Sequence, residues 1–330
     1  MAWLKRFTLI LVWLLAMPAW ADLTPEQQAA KQTGITLFNQ YRTAEPQLRI
    51  AAEAGDAEAQ FYLAEELRLR DRFMTEEVVH WLEAAAEQGH SYAMIRLGHS
   101  GNSLCSVVGH CPEGSKTPEQ WLAEARQLNE PKAVQGDPEA MYLMYQITFK
   151  TEWLERAAEA GHALAQFWVA GYTEDGMGFY FWPGSREEAV EKWYKASAEG
   201  GYPISMMDYA AILLKNRDYA GYRLWAERAA GTGYVHAVFE YGLGLAPVVD
   251  DLDYGYKQDV VKAYGLLSLL LELDGGGGMA GRAARSQEEF LDQMTPEQIE
   301  QAREFAVEWK ATHPPLSFFK QKLHPSDTLF

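Results

Sequence analysis

The feature that most constrains this chain is a short pattern that returns along most of its length. A tryptophan is followed eight residues later by a glycine, with an alanine-rich stretch between them. The complete copies are Trp81 to Gly89, Trp153 to Gly161, Trp193 to Gly201 and Trp225 to Gly233. A fifth copy, Ala51 to Gly55, lacks the tryptophan, and Gly136 marks a further site. Periods of about 20 to 50 residues indicate stacked supersecondary units rather than one globular core.

Each copy has the composition of a helix that ends in a tight turn. The tryptophan and the alanines lie on one helical face, and glycine readily adopts the left-handed conformation that terminates a helix. Four residues after each glycine stands a small residue, which allows the next helix to approach closely. These small residues are Ala59, Ala93, Ala140, Ala165, Ser205 and Ala237. The sequence therefore predicts an all-α fold, an α-solenoid of about six to seven helix-pair repeats.

A second recurring motif, Thr-Pro-Glu-Gln, predicts where three helices begin. It occurs at 24–27, 117–120 and 295–298, where threonine suits the N-cap, proline the first helical position and glutamine the third. The last copy opens an amphipathic stretch, Pro296–Ala311, which we interpret as a C-terminal capping helix over the open end of the solenoid. We expect a leader over 1–21, an N-terminal helix within 22–44, repeats over 45–294, and the capping helix with a tail over 295–330. In that tail we expect four apolar residues to dock back: Phe318, Phe319, Leu323 and Phe330.

The first 21 residues have the layout of a secretory signal peptide. Lys5 and Arg6 precede an apolar stretch, Phe7–Met17, and small residues stand just before Asp22. The apolar stretch is shorter than the roughly 20 residues that a membrane span requires. We therefore expect a cleaved leader and an exported chain that is not an integral membrane protein.

Two cysteines, Cys105 and Cys111, lie close together in a loop-like stretch beside His99 and His110. In an oxidising compartment such a pair forms a disulfide, and closing so short a loop stabilises the fold by about 2–3 kcal/mol. A metal site with the two histidines is the alternative, although the spacing matches no established zinc pattern. We expect the disulfide, no metal and no cofactor.

The charge balance argues against one large class of function. The chain has 29 Lys and Arg against 46 Asp and Glu, a formal net charge of −17, and loss of the leader would remove two of the cations. Nucleic-acid affinity comes mostly from cationic neutralisation of phosphates, so no nucleic-acid partner is expected. With 48% hydrophobic residues the chain has ample apolar surface to fold.

The repeats also carry a resemblance to a known family. The pattern Ala-Ala-Glu-x-Gly-x-x-x-Ala, its preceding tryptophan and the segment 259–270 resemble Sel1-like repeats, which are related to tetratricopeptide repeats, over 45–310. Among exported members of this size, the chain is similar to periplasmic immunity proteins of Gram-negative bacteria that neutralise type VI secretion phospholipase D effectors. The resemblance implies a periplasmic, non-catalytic protein whose partner has a basic docking surface, because such an effector grips a phosphodiester with His and Lys.

Insertions between the repeats are where we place the partner-binding surface, since insertions in a solenoid emerge on one face. The stretch 171–184 mixes aromatic residues with acids, and the stretch 247–256 carries aspartates. The predicted partner-binding residues are Tyr172, Glu174, Asp175, Phe179, Phe181, Trp182, Asp250, Asp251 and Asp253. Exposed aromatics would anchor the partner and the acids would steer a cationic surface toward them. The alternative is that the aromatics fold back onto the solenoid and the aspartates form a solvated rim.

Two other functions stay open at this stage, a periplasmic adaptor that assembles envelope complexes and a cell-wall or β-lactam hydrolase. Ser317-Phe-Phe-Lys320 matches the Ser-x-x-Lys of penicillin-recognising enzymes, but the companion motifs are missing. Gly276–Gly281 matches Gly-x-Gly-x-x-Gly, but it follows a predicted helix where that motif requires a strand. We therefore predict no catalytic residues.

Overall fold

The computed structural model describes residues 23–100, 115–247, 254–273 and 278–323. These ranges contain sixteen α-helices: α1 (Pro25–Asn39), α2 (Glu45–Glu53), α3 (Ala57–Asp71), α4 (Glu76–Glu87), α5 (Ser91–His99), α6 (Pro118–Val134), α7 (Pro138–Thr148), α8 (Thr151–Glu159), α9 (Ala163–Glu174), α10 (Ser185–Glu199), α11 (Pro203–Lys215), α12 (Tyr219–Gly231), α13 (Val235–Leu245), α14 (Val260–Leu270), α15 (Met279–Leu291) and α16 (Pro296–Thr312). The predicted all-α solenoid is confirmed. Several predictions fall outside the described residues: the leader, the pair Cys105 and Cys111, the aspartates Asp250, Asp251 and Asp253, and Phe330.

The three Thr-Pro-Glu-Gln motifs begin helices as predicted. Thr24, Thr117 and Thr295 are the N-caps of α1, α6 and α16, and each hydroxyl accepts from the backbone N–H of the glutamine three residues on. Each glutamine side chain in turn accepts from the threonine backbone N–H. These reciprocal bonds satisfy two backbone donors that a helix start would otherwise leave open.

Six consecutive helix pairs run from α2/α3 to α12/α13, and a glycine joins the two helices of every pair. Gly55, Gly89, Gly136, Gly161, Gly201 and Gly233 have φ between 83° and 100°. This left-handed conformation lets the chain reverse within three residues, which places the second helix antiparallel to the first. Four residues after each of these glycines, the five alanines are at most 2% exposed and Ser205 is fully buried. The predicted close approach of the paired helices is therefore confirmed.

The repeat tryptophans lie in the helix-packing surface, as core positions should. Trp225 is buried, whereas Trp81, Trp153 and Trp193 are half-buried and pack at the edge of the core. Cations cover some of the remaining ring faces: the Arg156 guanidinium lies 4.3 Å from the Trp153 ring centroid. Such a contact adds cation–π attraction to a ring that the helices bury only in part.

The apolar core follows the solenoid and divides within α9. One cluster of buried residues runs from α1 to α9, and a second runs from α9 to α16. Val169 belongs to the first cluster and its neighbour Ala170 to the second. From α1 to α13 each helix packs mainly on its neighbours in the chain, which is the interaction pattern of a repeat protein.

The C-terminal helix covers the end of the solenoid as predicted, and it does so by packing on α14. The predicted Pro296–Ala311 is observed as Pro296–Thr312. At Gly265 of α14 an added Cβ would lie 2.6 Å from the Phe305 ring, so the two helices approach through a residue without a side chain. None of the helices in the described ranges is long and apolar enough to cross a lipid bilayer.

After α16 the chain turns back across the solenoid, and Phe318, Phe319 and Leu323 dock on it as predicted. The Ser317 N–H donates to the Gly233 carbonyl over 2.9 Å, at the start of α13, and the next N–H, of Phe318, donates to the Asn39 carbonyl of α1 over 2.9 Å. Adjacent residues of the tail thus touch the first helix and the thirteenth. The tail therefore bridges α1 and the last of the six helix pairs, and the solenoid curves around it.

Candidate functional site

Three aromatic side chains project into solvent from the loop 175–184, which joins α9 to α10. Phe179 is 88% exposed, Phe181 72% and Trp182 73%, although side chains of this kind are ordinarily buried. The rings of Phe181 and Trp182 meet edge to face with their centroids 5.0 Å apart. We call these three residues the aromatic knuckle. These three side chains do not fold back onto the solenoid, in contrast to the alternative that the sequence left open.

The loop that carries the knuckle is held in place by Arg186, in the first turn of α10. Its guanidinium donates to the carbonyls of Thr173 and Met177 over 2.6 and 3.0 Å. It also lies 4.8 Å from the ring centroid of Tyr180, which is half-buried. One arginine thus ties the loop to the end of α9, so a partner would meet an ordered surface and lose less conformational entropy on binding.

At the base of the loop that carries the knuckle, where Glu174 and Arg186 flank it, lies an open groove of about 620 Å³ between α9, α10 and α11. Its carboxylates come from Glu174, Glu187, Glu188, Glu191 and Asp208, and apolar side chains including Val190, Tyr194 and Ile212 line it as well. We call it the acidic groove. Two cations, Arg186 and Lys215, also line it, and the first is already bonded to loop carbonyls. The groove therefore presents negative charge at the base of the loop that carries the exposed rings.

Asp208 is a half-buried carboxylate of the acidic groove. Burial, and secondarily the nearby charge of Glu174, raise its pKa to about 6. Glu174 itself accepts a hydrogen bond from the Tyr194 hydroxyl over 3.3 Å. In the described part of the chain no cation forms an ion pair with Asp208. A cationic side chain placed in the groove would relieve the cost of this buried charge.

The structure brings together some of the predicted binding residues and separates others. Glu174 and Asp175 lie at the end of α9, at the base of the loop that carries the knuckle. Tyr172 lies within α9 instead, where its hydroxyl is 2.9 Å from that of Tyr145 and its ring packs against the first core cluster. The helix extends to Glu174, so the loop is shorter than the predicted insertion 171–184.

The sequence reasoning missed most of the acidic groove. Glu187, Glu188 and Glu191 have the spacing that places residues on neighbouring positions of a helix, directly after the aromatic stretch, and that spacing was a usable signal. Asp208 gives no such signal, because it reaches the groove from α11 and only the packing of the pairs brings it there. Among the described residues no group of three or more His, Cys, Asp or Glu side chains could hold a metal ion.

The sequence matches no protein-family model and no curated protein. The solved structures to which it is similar include a protective antigen of uropathogenic Escherichia coli with an SLR fold, at 19% identity and a TM-score of 0.47, covering 88% of this chain and 62% of the antigen. This chain thus spans less than two thirds of that protein's length.

Two further solved structures are similar. A Sel1 repeat protein from Oxalobacter formigenes has 20% identity and a TM-score of 0.41, with 86% of this chain and 85% of that one covered. An immunity protein from Pseudomonas aeruginosa has 14% identity and a TM-score of 0.39, with 85% and 88% covered. The structures to which this chain is similar therefore include a Sel1 repeat protein and an immunity protein.

Proposed function

We propose that this chain is a non-catalytic, periplasmic immunity protein whose solenoid binds a type VI secretion phospholipase D effector and occludes its catalytic mouth. The observation that carries the proposal is the exposed aromatic knuckle, on a loop whose flanking residues Glu174 and Arg186 line the acidic groove. The leader predicted over 1–21 and the resemblance of the repeats support the periplasmic location and the class of partner. Within this proposal Cys105 and Cys111 form a disulfide.

In the proposed mechanism apolar groups hold the partner and charged groups attract it. The knuckle supplies three large rings, and rings of this kind dominate the energy of protein interfaces when they enter a pocket. The acidic groove receives Lys or Arg side chains from the basic surface around the effector's mouth. Negative potential raises the rate of encounter, whereas the buried anchors set the lifetime of the complex. Occlusion then needs no chemistry from the immunity protein.

The experiment is co-expression of the full chain with a phospholipase D effector, followed by co-purification and a binding titration. We expect a stable complex, and we expect Trp182→Ala to weaken it by more than about 1 kcal/mol, roughly fivefold or more in Kd. The same variant should change the free energy of unfolding by less than about 0.5 kcal/mol, because the side chain is already in solvent.

Phe73→Ala is the matched control for the knuckle, since Phe73 is an exposed aromatic in the connector between α3 and α4. We expect it to leave the affinity unchanged. Equal affinities of wild type, Trp182→Ala and Phe73→Ala would show that the knuckle is not the interface. Failure to co-purify with any phospholipase D effector would exclude the assigned partner.

A further inference from the structure

The inner face of the solenoid holds an extended segment, which is the chain's own tail. Besides the bonds of Ser317 and Phe318 at α13 and α1, the Gln40 side chain donates to the Leu316 carbonyl over 2.9 Å. Further along, the Arg96 guanidinium donates to the Lys322 carbonyl over 3.2 Å. These bonds use the main chain of the tail, so another extended segment could form them. We call the surface under residues 316–323 the inner groove.

The side chains of the tail add selectivity through two lysines at alternate positions. The Lys320 ammonium lies 3.5 Å from the Phe38 ring centroid and 4.4 Å from that of Tyr41. The Lys322 ammonium lies 5.1 Å from the Tyr92 ring centroid and 3.8 Å from a carboxylate oxygen of Glu58. Leu323 is then buried in the first core cluster. The inner groove thus provides aromatic faces and a carboxylate for lysines, followed by an apolar pocket.

The tail fits the inner groove imperfectly. A cavity of about 520 Å³ remains between it and the solenoid, lined by aromatic side chains that include Phe61, Phe167 and Trp168. The side-chain Oε1 of Gln321 is buried without a hydrogen-bond partner in the described structure, although the Nε2 of the same side chain donates to the Tyr202 hydroxyl. Phe319 has φ of 51°, a left-handed conformation that is strained for a bulky residue. Empty space, an unpaired polar atom and backbone strain all lower the affinity of the tail for its own groove.

We propose that the inner groove is a second binding surface and that residues 316–323 occupy it as a displaceable segment of the same chain. The partner is an extended segment of another protein. That segment carries an aromatic residue, two lysines separated by one residue, and a leucine directly after the second lysine. The tail lies at one end of the described fold, beyond α16, so it can leave without breaking a helix. Being tethered, it competes at an effective concentration of about millimolar, and a partner segment must bind more favourably than the strained tail. This inference is independent of the effector assignment, because the groove and the knuckle are separate surfaces.

The test uses the full-length chain and a fluorescein-labelled synthetic peptide of residues 314–323, with binding followed by anisotropy. Two variants loosen the tail: Lys320→Glu with Lys322→Glu, and Phe318→Ala alone, which removes ring contacts to Tyr41 and His236. Hydrogen exchange of the Val235 and Phe318 amides reports release, since both bond across the tail contact. We expect faster exchange and about tenfold tighter peptide binding by the variants than by wild type.

Two controls define the groove and the peptide chemistry. Adding Tyr41→Ala to the loosened chain removes the ring beside Lys320 and should weaken peptide binding again. A peptide with glutamate at both lysine positions should not bind. The proposal is overturned if the released variants fail to bind the peptide, if wild type binds it as tightly as they do, or if the tail amides stay protected in both variants.

Discussion

At the scale of single residues, the histidines show how a repeat position defines a role. His90 and His162 each follow a repeat glycine, which predicts a packing or turn role rather than catalysis, and both are N-caps. The Nδ1 atom of His90 accepts from the Ala93 N–H over 3.3 Å, in the position where other repeats use Asp56 and Asp137. An imidazole nitrogen can accept this bond only while it carries no proton.

This capping bond makes one part of the fold sensitive to acid. Burial, and secondarily the positive charge of Lys322, lower the pKa of His90 from 6.5 to about 4. Between these two values the unfolded chain binds a proton that the folded chain rejects, so stability falls as the pH drops through this window. The contribution of His90 to the loss is at most about 3 kcal/mol.

His90→Asn keeps a neutral capping oxygen and removes the titration. We therefore predict that the free energy of unfolding, measured by urea titration at pH 7 and pH 4.5, falls less in the variant than in wild type. The His80→Asn variant is the control, because His80 caps no helix. An identical pH dependence in wild type and His90→Asn would contradict the assigned role.

At the scale of helices and loops, the sequence predicted the helix pairs well because the features that produce them are local. A glycine turn, a small residue four positions on and a threonine N-cap each act within one turn of helix. The sequence predicted which aromatic residues form the knuckle but not how their loop is arranged, because Arg186 of the next helix holds that loop. The acidic groove was mostly missed, because Asp208 comes from a third helix.

Two turn glycines that look alike in sequence should respond differently to substitution. At Gly161 an added Cβ meets nothing within 4 Å, so Gly161→Ala costs only the left-handed backbone, about 1–2 kcal/mol. At Gly233 the added Cβ would lie 2.5 Å from the Pro315 carbonyl oxygen, and φ is also positive. We predict a larger loss of unfolding free energy for Gly233→Ala, measured in urea, together with faster exchange of the Val235 amide. Equal losses in the two variants would show that the tail does not press on this turn.

At the scale of the whole molecule, the curvature of the solenoid could not be predicted from sequence. Curvature arises from a small rotation at every pair, and these rotations add over six pairs, so that one short tail reaches both α1 and α13. The sequence did predict a docked tail from its apolar residues. It did not predict that adjacent residues of the tail would form hydrogen bonds with Asn39 and with Gly233, because no local pattern connects residues so far apart in the chain.

The net charge of −17 acts at this same scale, and its distribution decides what it does. If the acidic groove steers the proposed effector, Glu187→Gln with Glu188→Gln should slow association and flatten its dependence on ionic strength, with little change in the dissociation rate. The control is Glu304→Gln with Glu308→Gln, two exposed glutamates of α16, which removes the same charge elsewhere. Stopped-flow association at several salt concentrations measures both pairs. If the groove steers the effector, the substitutions at Glu187 and Glu188 must slow association more than those at Glu304 and Glu308, because a charge close to the docking surface acts most strongly on the approaching partner. Equal slowing by the two pairs of substitutions would assign the effect to net charge alone.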